Sequence, residues 1–326
     1  MDIIGRHVSQ LTGYAPTLPT PFDRRDDIDR EAFERLCRLQ VEAGATALVV
    51  CGATGESPTL SAAEHAALIT IAVGAAHRRI PVIAGAGSNS TARAIDLTRT
   101  AEACGADAVL SVVPYYNKPT QAGMCAHFRS IAQSTGLPII LHDVPSRTAC
   151  GLADETIARL RELPQIIGLK DATGDVTRPA RLRPLVGAEY RLLSGDDATA
   201  PIFLAQGGNG CISVTSNVAP SLCRRLFLAH RQQQSDELHR ASIPLAQLTR
   251  ILFCKPNPVP LKYALSLFGL MSQNVRLPLV ELSPQTKAEV ADALAQWCQG
   301  SGEHASGEYA IATMSCRSTE YRAVAT

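Results

Sequence analysis

Lys170 is the residue of this chain best suited to covalent chemistry. Only five of the 31 Lys and Arg residues are lysine. An arginine cannot lose its proton in a protein, so each lysine deserves testing as an amine nucleophile. Lys170 closes the apolar segment IIGLK, and burial at such a strand end lowers a lysine pKa and yields the neutral amine that attacks a carbonyl. The alternative is a strand-end lysine that reaches solvent and pairs with Asp171.

Two further segments can bind carboxylates. The sequence CGATGESPTL at 51–60 offers backbone N–H groups and the Thr54 hydroxyl as a nest of donors. Its glycines would equally suit a tight connection between a strand and a helix. Arg147, in VPSRT, can bind a second carboxylate in bidentate fashion, although most arginines simply lie at the surface.

Proton transfer has two candidate residues. Tyr116 lies in the segment VPYYNKPT, and a phenol can donate or relay a proton, whereas paired aromatics also serve packing or subunit contact. His142 ends the apolar segment LPIILH. Its unperturbed pKa near 6.5 suits proton transfer near neutrality and predicts a pH–rate inflection between about 5.5 and 7.5. The alternative is a structural histidine in a strand.

Short apolar segments alternate with longer amphipathic ones, which predicts parallel strands joined by helices. The predicted strands are 14–18, 46–51, 80–84, 107–113, 138–142, 166–170, 191–194 and 210–214. The predicted helices between them are 30–43, 61–77, 91–103, 120–134, 153–162, 175–185, 198–205 and 218–231. Eight of each favour an α/β fold of the (β/α)8 TIM-barrel type. A doubly wound nucleotide-binding sheet is disfavoured because no glycine fingerprint follows the first strand.

The C-terminal part of the chain has a different pattern. Helices alone are predicted after residue 232, at 235–252, 259–268 and 285–298. We therefore expect a barrel over 1–232 and helices over 233–299 that pack with it as one domain. Residues 300–326 lack sustained periodicity, and we expect them to form a mobile tail.

Composition excludes several classes of partner. The net charge is +1, and no basic segment with interleaved aromatics is present, so nucleic acid is not expected to bind. No apolar stretch is long enough to span a membrane or act as a signal peptide. The ten cysteines form no CxxC pair and no metal-binding spacing with histidine. A cytoplasmic protein with reduced thiols and no metal is predicted.

The motifs, taken together and in order, resemble those of the dihydrodipicolinate synthase and N-acetylneuraminate lyase family. The resemblance covers residues 13 to about 298. It rests on GATGESPTL, IPVIAGAGSNST, VPYYNKPTQAG, VPSRT, GLKDATGD, LLSGDDA, GCISVTSNVAP and PNPVPLKYAL.

The resemblance implies a barrel enzyme in which Lys170 forms an imine and then an enamine with pyruvate, without a separate cofactor. The enamine would add to the aldehyde of L-aspartate 4-semialdehyde, giving 4-hydroxy-tetrahydrodipicolinate. The small molecules pyruvate and an aldehyde are thus the expected partners. The resemblance implies a pyruvate pocket formed by Ala53, Thr54, Gly195 and the backbone of Ile212.

The resemblance also assigns roles at the edge of the pocket. Arg147 would bind the semialdehyde carboxylate, and an arginine there favours the synthases over the sugar-acid lyases. Family members are commonly tetramers in which a tyrosine enters the neighbouring subunit's site, and Tyr116 matches it. A homotetramer or dimer is therefore expected. In lysine-sensitive relatives, the free amino acid lysine is a feedback inhibitor, and an acidic residue usually contacts its ammonium group. Arg93 stands at that position here, so feedback inhibition by lysine is expected to be weak or absent.

Three positions depart from the family pattern. Ala53 and His142 replace a threonine and a tyrosine of the usual proton relay, so only Tyr116 of that relay is kept. Asp143 replaces an asparagine and is expected to add a charge close to the site. These departures leave two alternatives: another pyruvate-dependent aldolase or 2-oxo-acid dehydratase, and a non-catalytic 2-oxo-acid binding protein.

Overall fold

Eight parallel strands form the centre of the molecule, which confirms the predicted fold class. The computed structural model describes residues 11–300. Within this range the strands run in the order β1-β8-β7-β6-β5-β4-β3-β2. They are β1 Gly13–Pro16, β2 Leu48–Val50, β3 Val82–Gly85, β4 Ala108–Val112, β5 Ile139–Asp143, β6 Ile166–Asp171, β7 Arg191–Ser194 and β8 Gly210–Ser213.

The sheet closes between its first two strands. A parallel bridge joins Thr17 to Val49, and the Leu18 N–H donates to the Val49 carbonyl at 2.8 Å. β1 pairs with β8 on its other side. Closure satisfies the edge groups of the sheet and brings the carboxyl ends of all eight strands to one mouth.

Helices follow most strands and cover the barrel. They are α1 Arg30–Glu42, α2 Ala62–Ala76, α3 Thr91–Ala103, α4 Gln121–Ala132, α5 Pro145–Thr148, α6 Asp154–Leu160, α7 Arg178–Val186, α8 Ala200–Ala205 and α9 Pro220–Arg231. The one-turn helix α5 was not predicted. Pro145 stands at its first turn, where proline is favoured, and Ala149 ends it with a positive φ of 58°.

Side chains at the helix starts fix where the chain leaves each loop. At α2, the Ser61 hydroxyl accepts from the Glu64 N–H while the Glu64 carboxylate accepts from the Ser61 N–H, a reciprocal capping box. Thr120 caps α4 through the Gly123 N–H. Such caps satisfy N–H groups that have no partner inside the helix.

The barrel interior is apolar up to its mouth. One buried cluster unites alternate residues of the strands, including Val49, Leu110, Ile140, Leu193 and Ile212. Side chains on a strand alternate between its two faces. His142, two positions beyond Ile140, and Lys170, in register with it on β6, therefore also point inward. That layer holds the candidate chemistry.

Three more helices pack against one side of the barrel: α10 Ser235–Leu252, α11 Val259–Leu267 and α12 Pro284–Gly300. They share one buried cluster with β1, α1 and α9, and the Trp297 indole N–H donates to the Pro244 carbonyl at 2.8 Å. This packing supports our proposal that barrel and helices form one domain. Residues 301–326, which carry most of the predicted tail, lie outside the described part of the chain.

Candidate functional site

Lys170 lies at the carboxyl end of β6, in register with His142 on β5 and Leu193 on β7. Only 8% of it is exposed. Burial lowers the pKa of Lys170 to about 8, with Cys211 and Asp197 opposing the shift. About a tenth of the amine is then neutral at pH 7. Asp171 binds Arg178 and Thr173 instead of Lys170, which disfavours the simple surface ion pair.

A second buried lysine, Lys262, has a structural partner that Lys170 lacks. Burial also lowers the pKa of Lys262 to about 8. Its Nζ, however, lies 2.6 Å from the Glu56 carboxylate, and both side chains are closed to solvent. Of these two lysines, Lys170 is the one that a substrate can reach.

Gly195 lies against the stem of the lysine. A Cβ placed on Gly195 would lie 3.0 Å from Cε of Lys170 and 2.9 Å from Cβ of Ala172. Real Cβ atoms rarely have contacts this short. The Gly195 N–H donates to the Asp171 carbonyl, which fixes this close approach. Glycine therefore gives the lysine room at the mouth.

The segment from Cys51 to Glu56, here called the 51–56 turn, follows β2. Both terminal residues have positive φ, 54° and 53°. The N–H groups of Ala53 and Thr54 have no acceptor within residues 11–300, so they are free to bind an anion. Ala53 is exposed at the mouth and Thr54 is buried. This geometry suits the predicted carboxylate site.

Asn257 joins the 51–56 turn to Arg147. Its Nδ2 donates to the Thr54 hydroxyl at 2.9 Å, and its carbonyl accepts from Nη2 of Arg147 at 3.4 Å. Arg147 is exposed on α5, and its charge helps to lower the pKa of both Lys170 and His142. Asn257 lies in the motif PNPVPLKYAL, but no role was predicted for it.

His142 faces Lys170 and is 7% exposed. Burial, followed by the positive charges of Lys170 and Arg147, lowers the pKa of His142 well below 6.5. The imidazole is therefore neutral at neutral pH, and the inflection that the sequence analysis expected between 5.5 and 7.5 moves to lower pH. His142 is placed to exchange protons with a molecule bound at Lys170.

Asp143 does not add an open charge to the pocket, contrary to expectation. It follows His142 on β5 and therefore points to the other face of the strand. There its carboxylate accepts from Arg178 at 2.8 Å and from the Leu152 N–H at 3.1 Å. Burial raises the pKa of Asp143 and Arg178 opposes that shift. The ion pair lies behind the barrel wall.

Tyr116 is not brought together with the other predicted residues. Its side chain is 89% exposed, with a positive φ of 74°. The adjacent Asn117 ties the loop to the Asn89 carbonyl at 2.9 Å. A well-anchored loop thus presents a phenol to solvent outside its own pocket.

Two further buried residues near the pocket lie on β8 and in the loop after β7. Ile212 is buried in the inner cluster, paired with Ala15. Asp197, which the sequence analysis missed, is buried and accepts from the N–H groups of Val214 and Thr215 at 2.8 and 2.9 Å. It holds the end of β8, and only the motif LLSGDDA hinted at it.

Two classes of site are not found in residues 11–300. No group of three or more His, Cys, Asp or Glu side chains there is arranged to hold a metal ion. In the same range, no helix combines the length and apolar character needed to cross a membrane.

Known proteins are similar to this chain in sequence and in fold. The Dihydrodipicolinate synthetase family matches residues 10–297. The 4-hydroxy-tetrahydrodipicolinate synthase of Hyphomonas neptunium is 48% identical over 285 residues, which are 87% of this chain and 97% of that protein.

Two solved structures are also similar. The 4-hydroxy-tetrahydrodipicolinate synthase of Methylacidiphilum fumariolicum SolV superposes with a TM-score of 0.87 at 40% identity, covering 90% of this chain and 99% of that one. The dihydrodipicolinate synthase of Acinetobacter baumannii, solved with pyruvate, gives 0.85 at 40% identity, covering 88% and 98%. This chain belongs to the dihydrodipicolinate synthetase family.

Proposed function

We propose that this protein is a 4-hydroxy-tetrahydrodipicolinate synthase that condenses pyruvate with L-aspartate 4-semialdehyde. The observation that carries the proposal is the buried amine of Lys170 at the barrel mouth. It lies opposite His142, and the neighbouring Asp171 pairs with Arg178 instead. The synthase names of relatives that match nearly the whole described chain support the same activity.

The first step makes a covalent imine. The neutral amine of Lys170 attacks the ketone carbon of pyruvate, and loss of one water leaves the imine. The pyruvate carboxylate would bind the free N–H groups of Ala53 and Thr54 and the backbone near Ile212. No separate cofactor is needed, because the protonated imine itself withdraws electrons from the methyl carbon.

The second step makes a carbon–carbon bond. Loss of a methyl proton gives an enamine, whose carbon attacks the aldehyde carbon while the aldehyde oxygen takes up a proton. The substrate's amine then attacks the imine carbon, closes the ring and releases Lys170. Neutral His142 is our candidate for these proton transfers, since one ring nitrogen can accept and the other can donate.

The second substrate would be held at the edge of the pocket. The Arg147 guanidinium is suited to its carboxylate. Tyr116 is 89% exposed, so we propose that it completes the site of another copy in a homodimer or homotetramer. Ala53 carries no hydroxyl, and the proton route that we propose passes through His142, Tyr116 and water.

Borohydride trapping tests the central step. Incubation with pyruvate and borohydride should add a reduced pyruvyl mass to the peptide that carries Lys170, and Lys170→Arg should give none because arginine stays charged. Since only the neutral amine attacks, the initial trapping rate should rise with pH and level off above about 8. A folded protein without this adduct would falsify the proposal.

An aldehyde panel tests the second substrate. We expect the highest kcat/KM with L-aspartate 4-semialdehyde. A higher value with a different aldehyde would assign the chain to the alternative pyruvate-dependent aldolases, which the replacements at Ala53 and His142 motivate. Pyruvate uptake without turnover of any aldehyde would indicate a binding protein.

A further inference from the structure

A buried ion pair lies beneath the 51–56 turn. Nζ of Lys262, on α11, is 2.6 Å from Oε1 of Glu56, and the two side chains are 0% and 1% exposed. Nζ also lies 4.3 Å from the centre of the Phe22 ring, a distance at which a cation is attracted to the ring face. The pair joins positions 206 residues apart in the chain.

Stability alone does not explain this pair. Removing two charges from water is costly, and well-packed apolar residues often replace buried ion pairs without loss of stability. The lowered pKa of Lys262 reflects that desolvation. What an ion pair with short, directed hydrogen bonds supplies in addition is a defined position for both groups.

The position that the pair defines is that of the 51–56 turn. Oε1 of Glu56 binds Lys262, while Oε2 accepts from the Arg276 N–H at 3.0 Å. The Glu56 N–H in turn donates to the Ala53 carbonyl at 3.2 Å. Glu56 has a left-handed φ of 53°, which a glutamate rarely adopts without such restraints. The free N–H groups of Ala53 and Thr54 thus take their direction from Glu56.

We propose that Lys262 and Glu56 are positioning residues that hold the 51–56 turn with its N–H donors aimed at the carboxylate of the 2-oxo acid. This inference rests on the proposed function of the turn. Neither side chain touches substrate, so both act through the backbone of Ala53 and Thr54. Helix α11, near the C-terminus of the chain, thereby takes part in substrate binding by the 51–56 turn.

Two single variants remove the pair. Lys262→Met removes the cation, and Glu56→Gln removes the charge while keeping an oxygen that can accept from Arg276. In both, the pyruvate concentration that gives half-maximal borohydride trapping should rise about 10-fold to 100-fold, the range that an ångström-scale misplacement can cause. KM for the aldehyde should change less, because Arg147 is linked to the 51–56 turn through Asn257, by a long hydrogen bond of 3.4 Å. If Lys262→Met does not fold, Glu56→Gln decides alone.

Leu265→Ala is the matched control for stability. Leu265 is fully buried on the same helix, outside the site, so its truncation should lower Tm by leaving a cavity. Its half-saturation for pyruvate should stay at the wild-type value when all proteins are assayed equally far below their Tm. If Lys262 had only a structural role, Lys262→Met would also lower Tm and leave the half-saturation for pyruvate unchanged. That result would overturn the proposal.

The double variant Lys262→Met with Glu56→Gln separates position from unpaired charge. It leaves no lone buried charge, so its Tm should exceed that of Lys262→Met, while its half-saturation for pyruvate should stay high. Recovery of both quantities to wild-type values would contradict the proposal. Failure of the proposed function is recognised separately, because the wild-type protein itself would then form no adduct at Lys170.

Discussion

At the scale of single residues, Lys170 helps to keep the neighbouring His142 unprotonated. They face each other on neighbouring strands, and the positive charge of Lys170 adds to burial in lowering the pKa of His142. Because His142 is neutral at neutral pH, it leaves Lys170 without a cationic neighbour on that strand. A neutral amine on Lys170 and a neutral imidazole on His142 can therefore be present together.

His142→Phe should lower kcat about 100-fold or more, as expected for loss of a general acid–base group. In the wild type, protonation of His142 at low pH removes the base, so kcat should show an acid limb due to His142 at a pH well below 6.5. That acid limb should be absent from His142→Phe. Pyruvate trapping at Lys170 controls for an intact site, and near wild-type kcat in the variant would contradict the proposed role.

Gly195→Ala should impair the site without unfolding the protein. The added methyl would press on Cε of Lys170 and on Ala172, so the lysine stem must move, and kcat/KM should fall roughly 10-fold to 100-fold. Gly174→Ala is a control for glycine loss, since a Cβ there meets nothing within 4 Å, although its φ of 82° makes it strained. Equal kinetic losses in the two variants would argue against the steric explanation.

At the scale of elements, the start of α2 is tied to the C-terminal segment by charge. Arg276 binds the Glu64 carboxylate, the Thr59 carbonyl and Asp26, and its guanidinium carbon lies 4.2 Å from the centre of the Phe22 ring. The hydrogen bond from Arg276 lowers the pKa of Glu64 to about 2. This contact holds the helix that follows the 51–56 turn.

The Glu64 contact should give stability that depends on pH. Its folded pKa is below the ordinary 4.5, so the stabilisation is complete above about pH 4.5 and is lost as the pH falls towards 2. Glu64→Gln should therefore lower Tm by a few degrees at pH 7 and by less at pH 3. Glu34→Gln, in an exposed pair with Arg38, should change Tm little. A Tm difference that is equal at both pH values would refute the explanation.

At the scale of the whole molecule, the described chain forms a pocket that lacks its predicted tyrosine. Tyr116 is exposed on its loop, and we propose that it contributes to catalysis by entering the pocket of another copy. The assembly, and not the single barrel, would then be the catalytic unit.

Mixing two inactive variants tests this assembly. Lys170→Arg lacks the nucleophile, and Tyr116→Phe lacks the phenol, so each alone should have low activity. In a mixed dimer, the subunit that keeps Lys170 can receive Tyr116 from its Lys170→Arg partner, so one of the two sites is complete. Random pairing of equal amounts makes about half of the dimers mixed, so about a quarter of wild-type activity should return. Activity equal to the sum of the separate variants would show that Tyr116 does not act between subunits.

The sequence predicted the barrel well because its signals are local. Alternation of apolar strands and amphipathic helices depends on neighbouring residues, so all eight strands were found within a few positions. Lys170 was expected at the mouth because strand ends in a barrel converge there, whereas Gly195 was assigned to the pocket only through the family resemblance. The short helix α5 was missed because a proline-led segment of four residues reads as a loop.

Contacts between distant parts of the chain were decided only by the tertiary structure. The sequence could not show that Arg178 would neutralise Asp143, that burial beside Lys170 would lower the pKa of His142, or that Lys262 and Asn257 would reach the 51–56 turn. Each depends on which side chains share a buried volume, and that is fixed by chain closure across up to 206 residues. The sequence by itself placed Lys170 and His142 at the ends of strands that meet at the mouth; the fold determined their charge, their partners and the further groups near them, such as Asn257 and Asp197.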